Sequence, residues 1–211
     1  LKYANDLLSH RGPDDKGLFI DHSSRIGLGH RRLSIIDTSS LGHQPMKSKD
    51  KKVVLVFNGE IYNYKHLRTE LKSKGFFFRG NSDTEVLLNL YLYEGESMLK
   101  RLEGIFAFAI WDSNKKRLFI ARDALGVKPL YYISNNNYFA FSSELKALLY
   151  MVPEKRELDF LSLHRYLSFL WCPGSGTPLK SFIKLQPGEA IIVNDGHIQK
   201  RWVWYQLPFF R

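Results

Sequence analysis

Asn58-Gly59-Glu60 is the group of residues in this chain best suited to chemistry. It follows the apolar run Val53-Val54-Leu55-Val56-Phe57, whose pattern fits a buried strand. A side-chain amide and a glycine N–H at the end of a rigid strand can both donate to one oxygen, which is how a developing oxyanion is stabilised. Asn-Gly is also the strongest type I′ hairpin dipeptide. A hairpin needs a second strand at once, whereas Glu60-Ile61-Tyr62-Asn63 leads into a helical pattern, so the donor reading is preferred. A glycine there also leaves room for close approach of a ligand.

Three charged side chains extend the group. Arg32 closes a strand pattern and is of the type that grips a carboxylate with two parallel hydrogen bonds, although alone it reads as a surface arginine. Glu60 and Asp83 can together hold an ammonium group, while Asp83 also suits the start of a helix. One arginine and two acids are what a free amino acid needs, since it carries one carboxylate and one ammonium. Cys172, the only thiol, has no base placed beside it and reads as loop packing between Trp171 and Pro173. The seven histidines show no metal-ligand spacing, and no metal site is expected. The dense stretch from Arg122 to Tyr132 reads as a salt-bridged turn, with Gly126 at positive φ and Pro129 stiffening it.

The elements that must position these residues alternate in pairs. Residues 1–9 read as the tail of a helix, followed by a turn at Arg11-Gly12-Pro13-Asp14-Asp15 and short strands over 17–20 and 26–30. Residues 44–46 and the lysines after them read as loop, and 53–57 as strand. Asn63 is placed to cap a helix over 64–74 that ends at Gly75. Ser82-Asp83-Thr84-Glu85 is a capping-box pattern that opens a helix running to about Tyr93. The segment 104–112 is apolar on both faces, with Phe106, Phe108 and Ile110 opposed to Ile105, Ala107, Ala109 and Trp111. That suits a strand buried on both sides. Strands are expected over 117–122, 130–134 and 138–142, and helices over 144–151 and 159–169. Two late strands, 189–194 and 197–204, meet at Asp195-Gly196, a strong hairpin dipeptide. Paired helices and hairpin strands, without βαβ alternation or a Gly-rich phosphate loop, indicate an α+β fold with largely antiparallel sheets.

Composition narrows the function classes. Apolar content of 44% and aromatic content of 14% over 211 residues support a real core. The longest apolar run, 105–111, is far too short for a transmembrane helix, so no membrane partner is expected. A single cysteine excludes an intrachain disulfide, and the first residues carry neither an apolar signal core nor a cleavage pattern; both fit the cytoplasm. The net charge of +10 comes from scattered lysines and arginines with no aromatic interleaving, so nucleic acid is not the expected partner.

Five ordered motifs then carry a family resemblance. They are His10-Arg11-Gly12-Pro13-Asp14, Gly29-His30-Arg31-Arg32-Leu33-Ser34-Ile35-Ile36-Asp37, Phe57-Asn58-Gly59-Glu60-Ile61-Tyr62-Asn63, Ser82-Asp83-Thr84-Glu85, and Arg122-Asp123 with Gly126-Val127-Lys128-Pro129-Leu130-Tyr131-Tyr132. In this order they resemble class II glutamine amidotransferase domains, most of all the glutaminase domain of asparagine synthetases. Phe141-Ser142-Ser143-Glu144-Leu145-Lys146-Ala147-Leu148 and Leu185-Gln186-Pro187-Gly188 resemble the same subfamily.

The resemblance implies an N-terminal-nucleophile hydrolase fold, a four-layer αββα sandwich with two antiparallel sheets between helix layers. It implies residues 1–152 as the amidotransferase core and 153–211 as an extension leading toward a synthetase domain. Glutamine is the implied substrate. Arg32, helped by backbone groups near Leu33 and Ile35, takes its carboxylate; Glu60 and Asp83 take its ammonium; Asn58 and Gly59 form the oxyanion hole. No cofactor is implied for this domain, with ATP and magnesium assigned only to the synthetase domain. A homodimer is compatible with it. The family's nucleophile is a cysteine at the mature N-terminus, whose α-amine is the base. Residue 1 here is Leu1, no Cys-Gly-Ile segment precedes His10, and no Ser-Gly-Gly-x-Asp-Ser loop for ATP follows. The nucleophile is therefore expected outside these residues, on a segment that supplies a core strand. Without it a sheet is expected to have a gap and an unpaired edge. The alternative is a non-catalytic amidotransferase-like module that binds glutamine or serves as a scaffold.

Overall fold

The structure is a computed structural model that describes residues 1–208. Its centre is a six-stranded antiparallel sheet containing β3 (Met46–Lys47), β4 (Val53–Ile61), β5 (Gly104–Asp112), β6 (Arg117–Arg122), β10 (Glu189–Asn194) and β11 (His197–Val203). Their order across the sheet is β11-β10-β6-β5-β4-β3. Alternation along β5 sends Phe106, Phe108 and Ile110 to one core and Ala107, Ala109 and Trp111 to another. The middle strand is thus buried on both faces, as its unbroken apolar run requires.

One face is covered by α2 (Tyr64–Ser73) and α3 (Asp83–Glu94). Leu67 and Leu71 of α2 and Val86, Leu87, Leu90 and Tyr91 of α3 pack on Phe57, Phe106, Phe108 and Phe119. The other face meets a second β layer made of β1 (Asp15–Asp21) with β2 (Ile26–Arg32), and of β7 (Tyr131–Ser134) between β8 (Phe139–Ser142) and β9 (Ile183–Lys184). Leu28, Leu130, Tyr132 and Leu185 bring that layer against Val54, Val56, Ile120 and Ile191. On its far side, α1 (Lys2–Asp6) and α4 (Leu145–Met151) pack on each other, with α1 on β2 and α4 on β8. The layer order is αββα, as expected. A further helix, α5 (Phe160–Phe169), is capped by Asp159, which accepts from the N–H groups of Leu161 and Ser162.

Local readings are refined in four places. β4 runs on to Ile61 instead of ending at Phe57, because Asn58 to Ile61 stay in register with Ala107 to Gly104. Asn63 precedes α2 but does not cap it; its side chain bonds the carbonyl of Arg101 and the N–H of Glu103. Only half of the capping box forms: Ser82 accepts from the Glu85 N–H, while the Glu85 carboxylate accepts from Arg79 and Gly80. The segment 46–47 pairs with β4 rather than running as loop. The second β layer is also divided, since β2 pairs only with β1 and β8 only with β7.

Asp123 is fully buried and accepts N–H bonds from Phe106, Leu125, Val127 and Lys128, while Arg122 donates to the carbonyls of Gly126, Lys128 and Leu185. This turn is structural, but among the described residues Arg122 and Asp123 bond backbone groups and not one another, so it is not the salt-bridged turn expected. Gly59 has φ of +150°, and a Cβ there would lie 2.1 Å from the Ile105 carbonyl oxygen. The close approach is by the backbone of β5, not by a ligand. Gly59→Ala is expected to cost on the order of 3 kcal/mol, against about 1 kcal/mol at Gly75, whose φ is also positive but whose surroundings are open. Urea midpoints compare the two; equal losses would refute the steric account.

Candidate functional site

The end of β4 is held from three sides. On one side β5 pairs with it through Asn58 and Gly59. On the other, β3 pairs only as far as Leu55, and the Gln44 side chain continues its work. Gln44 is buried; its Oε1 accepts from the Phe57 N–H at 2.7 Å and its Nε2 donates to the Phe57 carbonyl at 3.2 Å. From the third side, His30 Nε2 donates to the same carbonyl at 2.9 Å. Phe57, the residue before Asn58, is therefore fixed at both its backbone polar groups. Gln44 was not recognisable from the sequence, because a glutamine side chain standing in for a strand leaves no periodic trace.

Two cavities meet at this point. The first is polar, with a volume of about 490 Å³, and is lined by Arg32, Leu33, Ile35, Asn58, Gly59 and Asp83. Six of the seven residues singled out by the sequence thus surround one space. Glu60, the seventh, is exposed and is not among the lining residues. Its charge still reaches Asp83, where it adds to the upward pKa shift. Arg32 is buried, donating to the Ser39 carbonyl at 2.9 Å and to the Asp37 carbonyl. A guanidinium has five donors, so this anchoring leaves others for an incoming carboxylate. Asp83, the first residue of α3, accepts from the Ile61 N–H at 3.0 Å. Burial raises its pKa, opposed by that hydrogen bond. His10, Arg11 and Lys128 also line the cavity. They belong to the motifs quoted above, but nothing in their spacing assigned them a place.

The second cavity, about 200 Å³, is a cleft between β2 and β8. Val56, Ala107, Ala109 and Leu118 of the central sheet form its floor, and Ala4, Leu8, Ala147 and Met151 lie over it. Residues 26–30 and 139–143 face each other across it. They belong to β2 and β8, which lie at edges of the two small sheets. His30, Phe57 and Asn58 line both cavities. Cys172 lines neither; it is buried behind α5, its Sγ 3.4 Å from the Ser162 carbonyl.

Two antiparallel β layers between two helix layers make a fold of the N-terminal-nucleophile hydrolase type. The chain belongs to the glutamine amidotransferase domain family, whose sequence model matches residues 1–205. It is 43% identical to asparagine synthetase [glutamine-hydrolyzing] 1 of Bacillus subtilis, over 94% of this chain and 31% of that protein. It is 35% identical to amidase chry2 of Gibberella zeae, over 99% of this chain and 30% of that one. Among solved structures, glutamine phosphoribosylpyrophosphate amidotransferase from B. subtilis superposes with a TM-score of 0.69 at 21% identity, over 97% of this chain and 46% of its own. That likeness supports the fold. The chain spans about a third of the length of the curated relatives it matches.

The raised pKa of Asp83 carries a sign. A carboxyl whose folded pKa lies above its unfolded one binds more protons when folded. Its contribution to stability is therefore lost as pH rises from the ordinary aspartate value through the folded value. Asp83→Asn is expected to gain on the parent protein across that window. Denaturation midpoints measured against pH would show this as converging or crossing curves; parallel curves would remove the assignment.

Proposed function

We propose that this domain hydrolyses the side-chain amide of glutamine and passes the ammonia to a second domain of the same protein. The observation that carries the reading is the convergence of Arg32, Asp83, Asn58 and Gly59 on one cavity. In this reading Arg32 binds the substrate carboxylate and Asp83 its ammonium. The cation offsets the burial that raises the Asp83 pKa. Glu60 contributes charge from outside the cavity. The amide carbonyl then points at Asn58 and Gly59, where donors fixed before the reaction stabilise the oxyanion without reorganisation.

The nucleophile is a cysteine thiol, brought in on an extended segment that fills the cleft between β2 and β8. Two facing open edges and an apolar floor are what a strand buried on both faces fits. The cleft ends at His30 and Asn58, so such a segment delivers its end residue beside the oxyanion donors. With a free α-amine as base, pKa about 8, the thiol proton moves to nitrogen and sulfur attacks the amide carbon. The C–N bond breaks, the departing nitrogen takes the proton, and ammonia leaves a thioester. Water then adds to the thioester carbon, releasing glutamate and restoring the thiol.

Similarity to asparagine synthetases supports an ATP-dependent second domain that amidates aspartate. The exposed apolar residues Phe160, Leu161, Leu167, Phe169, Leu170 and Trp171 form a surface of the kind that such a domain covers. No helix among the described residues is long and apolar enough to cross a membrane.

Glutamate release from glutamine by the full-length protein is the direct test. Arg32→Ala is expected to weaken glutamine binding by about 100-fold or more in calorimetry. Asn58→Ala is expected to lower kcat by about 10²–10³ with little change in KM. Unchanged glutamine affinity in Arg32→Ala would overturn the carboxylate assignment.

A further inference from the structure

Arg11, Arg32 and Lys128 all line the polar cavity, and the first two already have partners in the protein. Arg32 donates to the Ser39 and Asp37 carbonyls, and Arg11 donates to the Glu144 carboxylate at 3.3 Å. Lys128 differs. It is half-buried and enters none of the ion pairs among the described residues. Its N–H donates to Asp123 and its carbonyl accepts from Arg122, so the polar group it adds to the cavity is its side-chain ammonium. Its place along the cavity follows from the same bonds. Asp123 Oδ2 accepts from the Lys128 N–H at 3.0 Å and from the Phe106 N–H at 3.2 Å, and Phe106 stands opposite Gly59 in the pairing of β4 with β5. Lys128 is thus tied to the strand end that carries Asn58 and Gly59. Asp123 itself is fully buried, and its oxygens are taken by backbone N–H groups.

We infer that Lys128 makes the Asn58–Gly59 end of the cavity a carboxylate site, which holds the side-chain carboxylate of glutamate once hydrolysis has formed it. The inference rests on the proposed glutaminase reading. Hydrolysis replaces the amide C–N bond by a C–O bond, and the acid so formed gives its proton to ammonia. Substrate and product then differ at one place only, a neutral amide against a carboxylate. Arg32 and Asp83 meet the same α-carboxylate and α-ammonium in both. Discrimination falls to the groups at the other end of the molecule, where two N–H donors and a cation without a counter-ion favour the charged side chain. A site built in this way retains its product. Glutamate competes with glutamine for it, and ammonia release slows as glutamate accumulates.

Two ligands that are not turned over test this on the full-length protein by calorimetry. Glutamate carries the second carboxylate; norvaline has the same amino-acid end and an uncharged side chain. Lys128→Met removes the charge at similar length, and Lys128→Arg keeps it. Lys128→Met is expected to weaken glutamate binding about 10-fold while norvaline affinity stays within about twofold. Lys128→Arg is expected to bind glutamate nearly as the parent does. The inhibition constant of glutamate against glutamine hydrolysis is expected to rise by the same factor as its Kd in Lys128→Met. Unchanged glutamate affinity in Lys128→Met, or equal losses for glutamate and norvaline, would overturn the inference. If glutamine is not hydrolysed but the loss in Lys128→Met is confined to glutamate, the glutaminase reading fails and the Lys128 carboxylate site stands. If the parent protein binds neither amino acid, both fail.

Discussion

The nine-residue antiparallel pairing of β4 with β5 is the constraint on which the rest of the molecule depends. It puts Asn58 opposite Ala107 and Gly59 opposite Phe106, so the candidate oxyanion donors belong to a paired strand rather than to a loop. Side chains alternate on β5, so one register divides the apolar mass into two cores. A slip of one residue would exchange Phe106, Phe108 and Ile110 with Ala107, Ala109 and Trp111. Both cores and the site would be lost together. The register is protected locally by Gly59, since any side chain there meets the backbone of Ile105.

Polar groups are then arranged to hold this pairing at its ends. Asp123 ties the Phe106 N–H to the turn that follows β6, and Asp83 ties the Ile61 N–H to the first turn of α3. Gln44 and His30 tie Phe57. Each is a side chain answering a backbone group for which no strand partner is available, and an unanswered group there would cost about 1–3 kcal/mol. Three arginines are held in ion pairs as well. Arg101 pairs with Glu70 and Glu94, Arg117 with Glu96, and Arg201 with Glu189.

What was legible in the sequence was local. The limits of β5, β6 and β10 coincide with those read from periodicity, and the Asp195-Gly196 turn has both residues at positive φ, as the dipeptide indicates. Polar capping misled where a long-range partner outbid the local one: Asn63 reaches Arg101 and Glu103 instead of its own helix. Asn58-Gly59 shows the same limit. Its local chemistry pointed to a turn or a ligand, and only the approach of β5, more than 40 residues away in sequence, explains why the strand continues and why glycine is needed. The site residues were found as types, and their roles were implied by the resemblance of five motifs. Their distances were not legible, and neither was the exposure of Glu60.

The two cavities have opposite characters, and that difference suits the division of labour between them. In the proposed reading, charged and polar groups bind the amino-acid end of the substrate in the larger space, where exchange with water is needed. The smaller is floored by alanine, valine and leucine and suits a chain segment that stays in place. A nucleophile held by packing has little conformational freedom left to lose in the reaction, which is the main benefit of positioning. His30, Phe57 and Asn58 form the boundary between the two spaces. Because Phe57 is clamped through both its N–H and its carbonyl, small shifts on either side of the boundary are resisted by the central sheet itself.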